Sequence, residues 1–492
     1  MFKQKSENIA FIQGTCPRGE VRGVIAAGLL FEFFYLFCFV LQSVGIKITW
    51  ICFAIFLIQS ISIVRYRVFF LKYIWFIVMM TWLVFAVALL EGSPVWLNEL
   101  QKTTYDNGSL LPLAATVGLL FYFLLFLETI RKPTKRLNGT ARVGKEYSYF
   151  QKTLIQVASV AALAIALLAF FAVVGTPAWI SSRDRFDYAA NVMPEILRSY
   201  QSYLVLIIPL AAPSLKTGSK KLFFSVVVVY SLYLIWTGEK FTSLFFLLYV
   251  LVLIVLVSKP EDELKNLLKK YTKKIVVVFI ALALVFFALV FTQYIRQFGD
   301  VNSALSTLEQ RIAAQGEVWW GIYDQVEDPF SDERMSEIDD EIEAVFAGND
   351  IVDGRDKGGM WKLMRIIMPE SYYSNYLANS TRLTSSTPAT LYYYFGLLGL
   401  TIGMVMLCAL YWVVINAAVN AFRHVRLLEG VLAVYMIKIM HGVLLMSDFG
   451  DLINWKTLLV GCVMIAITVA RKAYQRQSRP RNVSSQEYCF RR

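Results

Sequence analysis

The residues best suited to chemistry are cations in unexpected places. Arg183, Arg185 and Arg198 fall in one polar segment, SSRDRFDYAANVMPEILRSYQ, and Lys240 follows Thr237 and Gly238 in the tight turn WTGEKFTSL. A guanidinium presents a planar fork of donors that meets two phosphate oxygens at once, so three arginines in one segment suit a pyrophosphate. The alternative use of the same charges is pairing with lipid headgroups or with the neighbouring Asp184 and Asp187. Further along, Arg296, Arg311 and Arg382 are spread through an acidic stretch. Glu317 and the pair Trp319 and Trp320 follow Arg311, and a hydroxyl-rich run, Ser380 to Thr390, surrounds Arg382. Aromatic faces stack on sugar rings and hydroxyls bond sugar hydroxyls, so this combination fits a glycan on an anionic carrier. The tryptophans suit the glycan, whereas Tyr392, Tyr393 and Tyr394 suit an interfacial aromatic belt.

Other signals are weaker. His424, between Arg423 and Arg426, suits lipid phosphates, while His441, ahead of Asp448 and Asp451, is either a base or a satisfied core histidine. Glu32 and Lys438 fall inside apolar runs, where a polar contact between helices accounts for each. The six cysteines have neither CxxC nor metal-ligand spacing, and no nucleotide-binding, serine-hydrolase or metalloprotease motif occurs. NDIVDGRD, at 349–356, has the acids of a calcium loop without its spacing and reads as a solvated turn.

Those residues must be positioned by elements that live in lipid. The chain has 492 residues, 57% hydrophobic against 17% charged, and a mean hydropathy of +0.55, which excludes an ordinary soluble domain. Continuous apolar runs exclude a barrel, whose strands would alternate. Twelve runs qualify as spans: about 24–42, 47–64, 73–91, 110–130, 153–175, 200–214, 222–237, 241–258, 275–295, 390–418, 428–447 and 455–470. The sixth is short and holds Pro209 and Pro213, so it is expected to be tilted or broken. With the N-terminus inside, 32 of the 48 lysines and arginines fall in inner loops and tails, so both termini are expected in the cytoplasm. The net charge of +12 is thereby a matter of orientation and calls for no nucleic acid.

The expected fold is an all-α polytopic integral membrane protein. Helices one to nine fill residues 1–295, a large external loop takes 296–389, helices ten to twelve fill 390–470, and a basic tail takes 471–492. The large loop holds 17 acidic residues against 8 basic ones. Apolar spacing predicts that it is mainly helical, through Leu305, Leu308, Ile312 and Trp319, then through Ile338, Ile342 and Phe346. Met360 to Met368, ended by Pro369, is amphipathic and expected along the outer interface.

This layout resembles the bacterial Wzy-type polysaccharide repeat-unit polymerases and, more distantly, the O-antigen ligases. The likeness rests on the arginine-bearing third external loop, the hairpin TGEKFTSL, the large loop before the tenth span, and STPATLYYYFGLLGL leading into that span. The resemblance implies a metal-independent membrane glycosyltransferase without cofactor, at the outer face of the bacterial inner membrane. It would join undecaprenyl-pyrophosphate-linked oligosaccharides, with membrane lipids and a chain-length-regulating co-polymerase as further partners. On that resemblance Arg183, Arg185, Arg198, Lys240, Arg296, Arg311 and Arg382 hold the anionic donor, and Asp187, Glu317 and His441 are candidates for the group that orients or deprotonates the acceptor. The chain departs from the family in lacking an Arg-x10-Gly pattern and a histidine in the large loop. The rival readings are an O-antigen ligase, a lipid-linked oligosaccharide flippase or transporter, and a non-catalytic scaffold.

Overall fold

The structure is a computed structural model. It describes residues 18–130, 149–172, 191–193, 195, 201–217, 220–237, 241–258, 288, 291–292, 295, 299–326, 332–347, 351–352, 355–356, 359–378, 382–384, 387–424 and 426–477. Within these the chain is almost wholly helical, as apolar runs in lipid must be, because only a helix satisfies its own backbone donors and acceptors without water. Among the described residues, five helices are long and apolar enough to cross a membrane: α1 (Arg18–Ser43), α3 (Arg67–Gly92), α4 (Leu110–Ile130), α15 (Thr387–Arg423) and α16 (Leu427–Met446). Further helices occupy other expected runs: α2 (Thr49–Val64), α5 (Tyr149–Ala172), α8 (Lys220–Trp236), α9 (Phe241–Ser258) and α18 (Trp455–Gln477). The run expected at 275–295 lies outside the described residues, apart from isolated positions.

The sixth run is broken. A 3-10 turn, Gln201–Leu206, leads into α6 (Ile207–Ala211), then the chain turns at Ala212–Pro213 and resumes as α7 (Ser214–Thr217). Proline supplies no backbone donor and clashes with the preceding turn, so neither Pro209 nor Pro213 permits one unbroken helix. This irregular piece packs on α16 and α5.

The central bundle consists of α3, α4, α9, α15 and α16, with α1 and α2 laid against α4. Its core is aromatic, with Trp75, Tyr73, Phe76, Phe121, Tyr249 and Tyr411 fully buried. α15 bends at Gly396, whose φ of +61° is open to glycine but strained for any residue with a Cβ. At one end of the bundle, Lys72 Nζ donates to Glu128 Oε1 and to Asn416 Oδ1, both at 2.6 Å, and Tyr73 Oη donates to the same carboxylate at 2.7 Å. Asn416 Nδ2 donates to Glu128 at 3.2 Å. This network joins the first turns of α3 to the last turns of α4 and α15.

The opposite end carries a cap of loop segments, here termed the loop end. A two-residue hairpin of β1 (Trp96–Leu97) and β2 (Lys102–Thr103) links α3 to α4. The large acidic segment forms α10 (Val301–Ala313), α11 (Glu317–Gln325), α12 (Asp332–Ala347), a hairpin of β3 (Ile351–Val352) and β4 (Arg355–Asp356), α13 (Gly359–Ile367) and α14 (Glu370–Ala378). The run 349–356, expected as a solvated turn, holds this β3–β4 hairpin. α13 was expected along the lipid interface, but Met360, Trp361, Leu363, Met364 and Ile367 are buried and the helix packs on α11 and α15. The expected stripe on α12 is incompletely covered, because Ile342 and Phe346 are exposed.

A buried ion pair broken on one side leaves an uncompensated charge, which costs about 3–5 kcal/mol. Lys72→Met is therefore expected to lower the thermal midpoint of the detergent-solubilised protein sharply. Lys72→Met/Glu128→Leu should recover most of the loss; a double variant as unstable as the single one would mean the network carries no paired charge.

Candidate functional site

The loop end is assembled around one close approach. Asp300 caps α10 through Oδ1, which accepts from Ser303 N at 2.8 Å, and the helix carries Arg311 in its last turn. The chain then turns tightly through Ala314–Gly316 and begins α11 with Glu317. A Cβ at Gly316 would lie 2.8 Å from the backbone nitrogen of Val87 and 2.9 Å from Val87 Cγ2, so glycine is what lets this turn rest directly on α3.

Trp319 and Trp320 fix that docking. Both are fully buried; Trp319 Nε1 donates to the carbonyl of Ser109 at 2.9 Å, and Trp320 Nε1 donates to that of Tyr105 at 3.0 Å. Asn107 Nδ2 donates to the carbonyl of Trp320 at 3.2 Å, and Lys102 Nζ meets Asp324 Oδ2 at 2.5 Å. The indoles expected to stack on sugar are thus placed as anchors inside the protein, their faces against Tyr392 and Tyr323 in one case and edge-on to Tyr105 in the other. Tyr392, Tyr393 and Tyr394 are buried beneath the cap, with Tyr393 Oη donating to Glu337, so they form no belt against lipid.

Glu317 is the outlier. Its carboxyl is fully buried, and neither oxygen has a hydrogen-bond partner among the described residues. Burial first, then the charge of Glu99, holds it well above the usual carboxylate range, while Arg311 pulls the other way. Tyr376 belongs to the same cluster: its hydroxyl donates to Glu99 Oε1 at 3.2 Å, and burial with the charges of Glu99 and Glu317 raises its pKa. Nearby, burial pushes Tyr323 up to about 12. Of the residues singled out in sequence, the charge of Arg311 thus reaches Glu317, as does that of Glu99, to which Tyr376 is hydrogen-bonded. Glu99 lies over two hundred residues from Glu317 in the chain and has no spacing signal that would announce it.

Arg382 lies on the same cap. Its Nη1 donates to Asp448 Oδ1 at 2.8 Å, just past the end of α16. Two residues on, Thr384 Oγ1 donates to Gln315 Oε1 at 2.8 Å, which ties the Arg382 segment to the turn that carries Glu317. Burial raises the pKa of Asp448 and Asp451, and the charge of Arg382 opposes it at both. The hydroxyl run is used internally: Thr387 Oγ1 donates to the carbonyl of Val443, and Thr390 and Ser447 share a hydrogen bond of 2.7 Å.

His441 is separate from this cluster. It is buried in an aromatic box, parallel to Trp75 with ring centroids 3.2 Å apart, edge-on to Phe246, and 3.3 Å from Tyr411 Oη through Nε2. Tyr411 Oη donates on to Tyr249 Oη at 3.1 Å, and Tyr249 Oη to the carbonyl of Lys72 at 2.9 Å. His441 is thus enclosed by aromatic rings, with the Tyr411 hydroxyl as its described polar contact. Arg183, Arg185, Asp187, Arg198, Lys240 and Arg296 lie outside the described residues.

Residues 353–460 match the family described as "Family of unknown function (DUF6418)". That segment begins within the large acidic loop and ends just inside α18, and it contains Arg382, His441 and Asp448. No curated protein and no solved structure matches the chain.

Glu317 gives a signed expectation for pH. Its unfolded carboxyl titrates near 4.3 and its folded one higher, so the folded state binds the extra proton between the two values. Stability from this group is full below about pH 4.3 and is lost as pH rises through the folded value. Glu317→Gln should flatten that part of the thermal-midpoint profile and stabilise the protein at neutral pH; a parallel profile would mean the carboxyl is solvated. Gly316→Val should cost about 1–3 kcal/mol by overpacking against Val87, read as a lower midpoint and faster amide exchange in α11.

Proposed function

We propose that the protein is a polysaccharide repeat-unit polymerase of the inner membrane, a metal-independent glycosyltransferase working at the outer face on lipid-pyrophosphate-linked oligosaccharides. In this reading both termini lie in the cytoplasm, twelve helices span the bilayer, and the loop end faces out. The observation that supports it best is Glu317: a carboxyl wholly buried with no hydrogen-bond partner among the described residues, within reach of the charge of Arg311, where the acidic loop rests on the bundle. A residue kept there for packing would be cheaper as glutamine or leucine, since a buried polar group without a hydrogen bond costs free energy that nothing returns. Strongly shifted groups of this kind gather where protons are moved.

The acceptor hydroxyl oxygen attacks the anomeric carbon of the growing chain. The bond from that carbon to the pyrophosphate oxygen breaks, and the lipid pyrophosphate leaves with the electron pair. Arg183, Arg185, Arg198, Lys240, Arg296 and Arg382 stabilise the developing negative charge, the kind of fixed electrostatics that lowers barriers most. Glu317, ionised as the substrate brings it under Arg311, takes the acceptor proton; burial raises its affinity for a proton, which suits a base. Because the carboxyl is covered in this structure, the reading requires α11 and the Arg382 segment to part when substrate binds.

One observation favours a transporter instead: the buried Lys72, Glu128 and Asn416 network, since ionisable groups inside a membrane bundle often mark a translocation path. It lies near one end of the bundle, however, whereas transporter sites lie near the midplane.

Purified protein given a lipid-linked repeat unit is expected to lengthen it with neither nucleotide nor metal. Arg183→Ala, Arg311→Ala and Glu317→Gln should each lower the rate by at least about a hundredfold, the usual scale for a lost charge-stabilising or proton-transfer group, while leaving the folded yield intact. Full-length polymer from all three variants would remove these assignments. Movement of the intact lipid across a vesicle bilayer without lengthening would instead establish the transporter.

A further inference from the structure

Residues 98–101 form the turn of the β1–β2 hairpin and reach across the cap. The turn is held in an uncommon form. Gln101 has a φ of +51°, a left-handed conformation rarely adopted outside glycine, and its Nε2 donates to the carbonyl of Asn98 at 2.7 Å and to Tyr372 Oη at 2.9 Å. The residues on either side of Glu99 are both pinned. Asn98 Nδ2 donates to Gln310 Oε1 at 3.0 Å, beside Arg311 in the last turn of α10. A Cβ at Gly321, one turn after Glu317 on the same face of α11, would lie 3.1 Å from Leu100 Cδ2. Between these two contacts Glu99 Oε1 accepts from Tyr376 Oη at 3.2 Å. The turn thus brings a second carboxylate between Arg311 and the face of α11 that carries Glu317. Glu99 is half-buried where Glu317 is fully buried.

Charged and titratable groups approach α11 on several elements. Arg311 stands on α10, Glu99 and Lys102 on the hairpin, Glu91 on α3, Lys362 and Arg365 on α13, Tyr376 on α14, Tyr392 and Tyr393 on α15, and Tyr323 and Asp324 on α11 itself. Several are engaged elsewhere: Lys102 with Asp324, Lys362 with Glu337 at 3.3 Å, and Glu91 with Ser109 Oγ and the Leu110 nitrogen, both at 2.8 Å. The charges that reach Glu317 are those of Glu99 and Arg311, of opposite sign. We propose that Glu99 is the positioning residue of the Glu317 site: fixed by Tyr376 and by the pinned turn, it is the second carboxylate against which Glu317 holds or releases the acceptor proton. Two carboxylates in one site do not both ionise freely, so a fixed anion favours the protonated form of its neighbour, whereas a cation favours the ionised form. Glu99 and Arg311 therefore pull Glu317 in opposite directions, and a substrate that draws Arg311 closer or screens Glu99 frees the base. Its use in sugar transfer rests on the polymerase reading; the pairing of the two carboxyls does not.

The test reads the carboxyl itself. For protein in nanodiscs, the infrared difference between each form and the same form with Glu317→Gln added isolates the Glu317 carboxyl. In wild type it is expected to show the carbonyl stretch of a protonated carboxylic acid, lost as pH rises. In Glu99→Gln, which removes the charge but keeps an acceptor for Tyr376, that loss should shift to lower pH, and Glu99→Asp, which keeps the charge, should stay closer to wild type. Tyr376→Phe releases Glu99 from its hydrogen bond and should move the loss the same way by less, so it keeps the test decisive if Glu99→Gln fails to fold. An unmoved loss in the folded variants would overturn the pairing, as would a wild-type spectrum without the band at every pH. In the lengthening assay the acidic limb of the Glu99→Gln rate should move to lower pH with the band, at a plateau far above that of Glu317→Gln. Lengthening with an unmoved band would overturn the pairing and leave the polymerase reading. A band that shifts as expected in a protein that never lengthens a repeat unit would sink the polymerase reading alone.

Discussion

The loop end depends on the contact between Gly316 and the backbone of α3 at Val87. Because no side chain intervenes, the acidic segment is held at backbone distance from the bundle, and the next four residues enter the core with it. Two of those residues, Trp319 and Trp320, are stabilised there by apolar burial and by indole donors that find the carbonyls of Ser109 and Tyr105. Glu317 is carried along by the same helix and finds no hydrogen-bond partner among the described residues. The unfavourable burial of one carboxyl is offset by the favourable burial of its neighbours, which is how a fold can hold a costly group in a defined place.

The two ends of the bundle treat buried charge in opposite ways. At the end with Lys72, the ammonium, the carboxylate of Glu128 and the amide of Asn416 are mutually hydrogen-bonded, and Tyr73 adds a further donor. Such a network fixes three helices in register and leaves little for a ligand to gain. At the loop end, Glu317 is bonded to nothing described, and Arg382 shares a half-exposed pair with Asp448. A ligand that bonded Glu317 would gain an interaction that no described residue makes.

Much of the helical framework is legible in the sequence because lipid leaves few options: long apolar runs must be helices, and prolines at 209 and 213 must break one. The interior of the loop end is less legible. The spacing of Leu305, Leu308, Ile312 and Trp319 reads as one continuous stripe, but Gly316 divides it into two helices, and Leu305 stays exposed while Trp319 is fully buried. The tryptophans carry the same signal whether they stack on sugar or donate to a carbonyl, and the carbonyls that receive them belong to a segment two hundred residues earlier. Lys72 and Glu128 were hidden for another reason. Each sits at the margin of an apolar run, where a charge reads as a boundary marker, and only the packing of α3 on α4 turns the two margins into a pair.

The anchoring of α11 also constrains how its carboxyl can be reached. On the side of the β1–β2 hairpin it is tied by two indole donors, an amide to the carbonyl of Trp320, and the contact of Lys102 with Asp324. On the side of the Arg382 segment, the hydrogen bond described is Thr384 to Gln315, and the flanking pair of Arg382 with Asp448 is partly exposed and therefore weak in energetic terms. Among the described residues, α11 is tied by more hydrogen bonds on the hairpin side than on the side of the Arg382 segment.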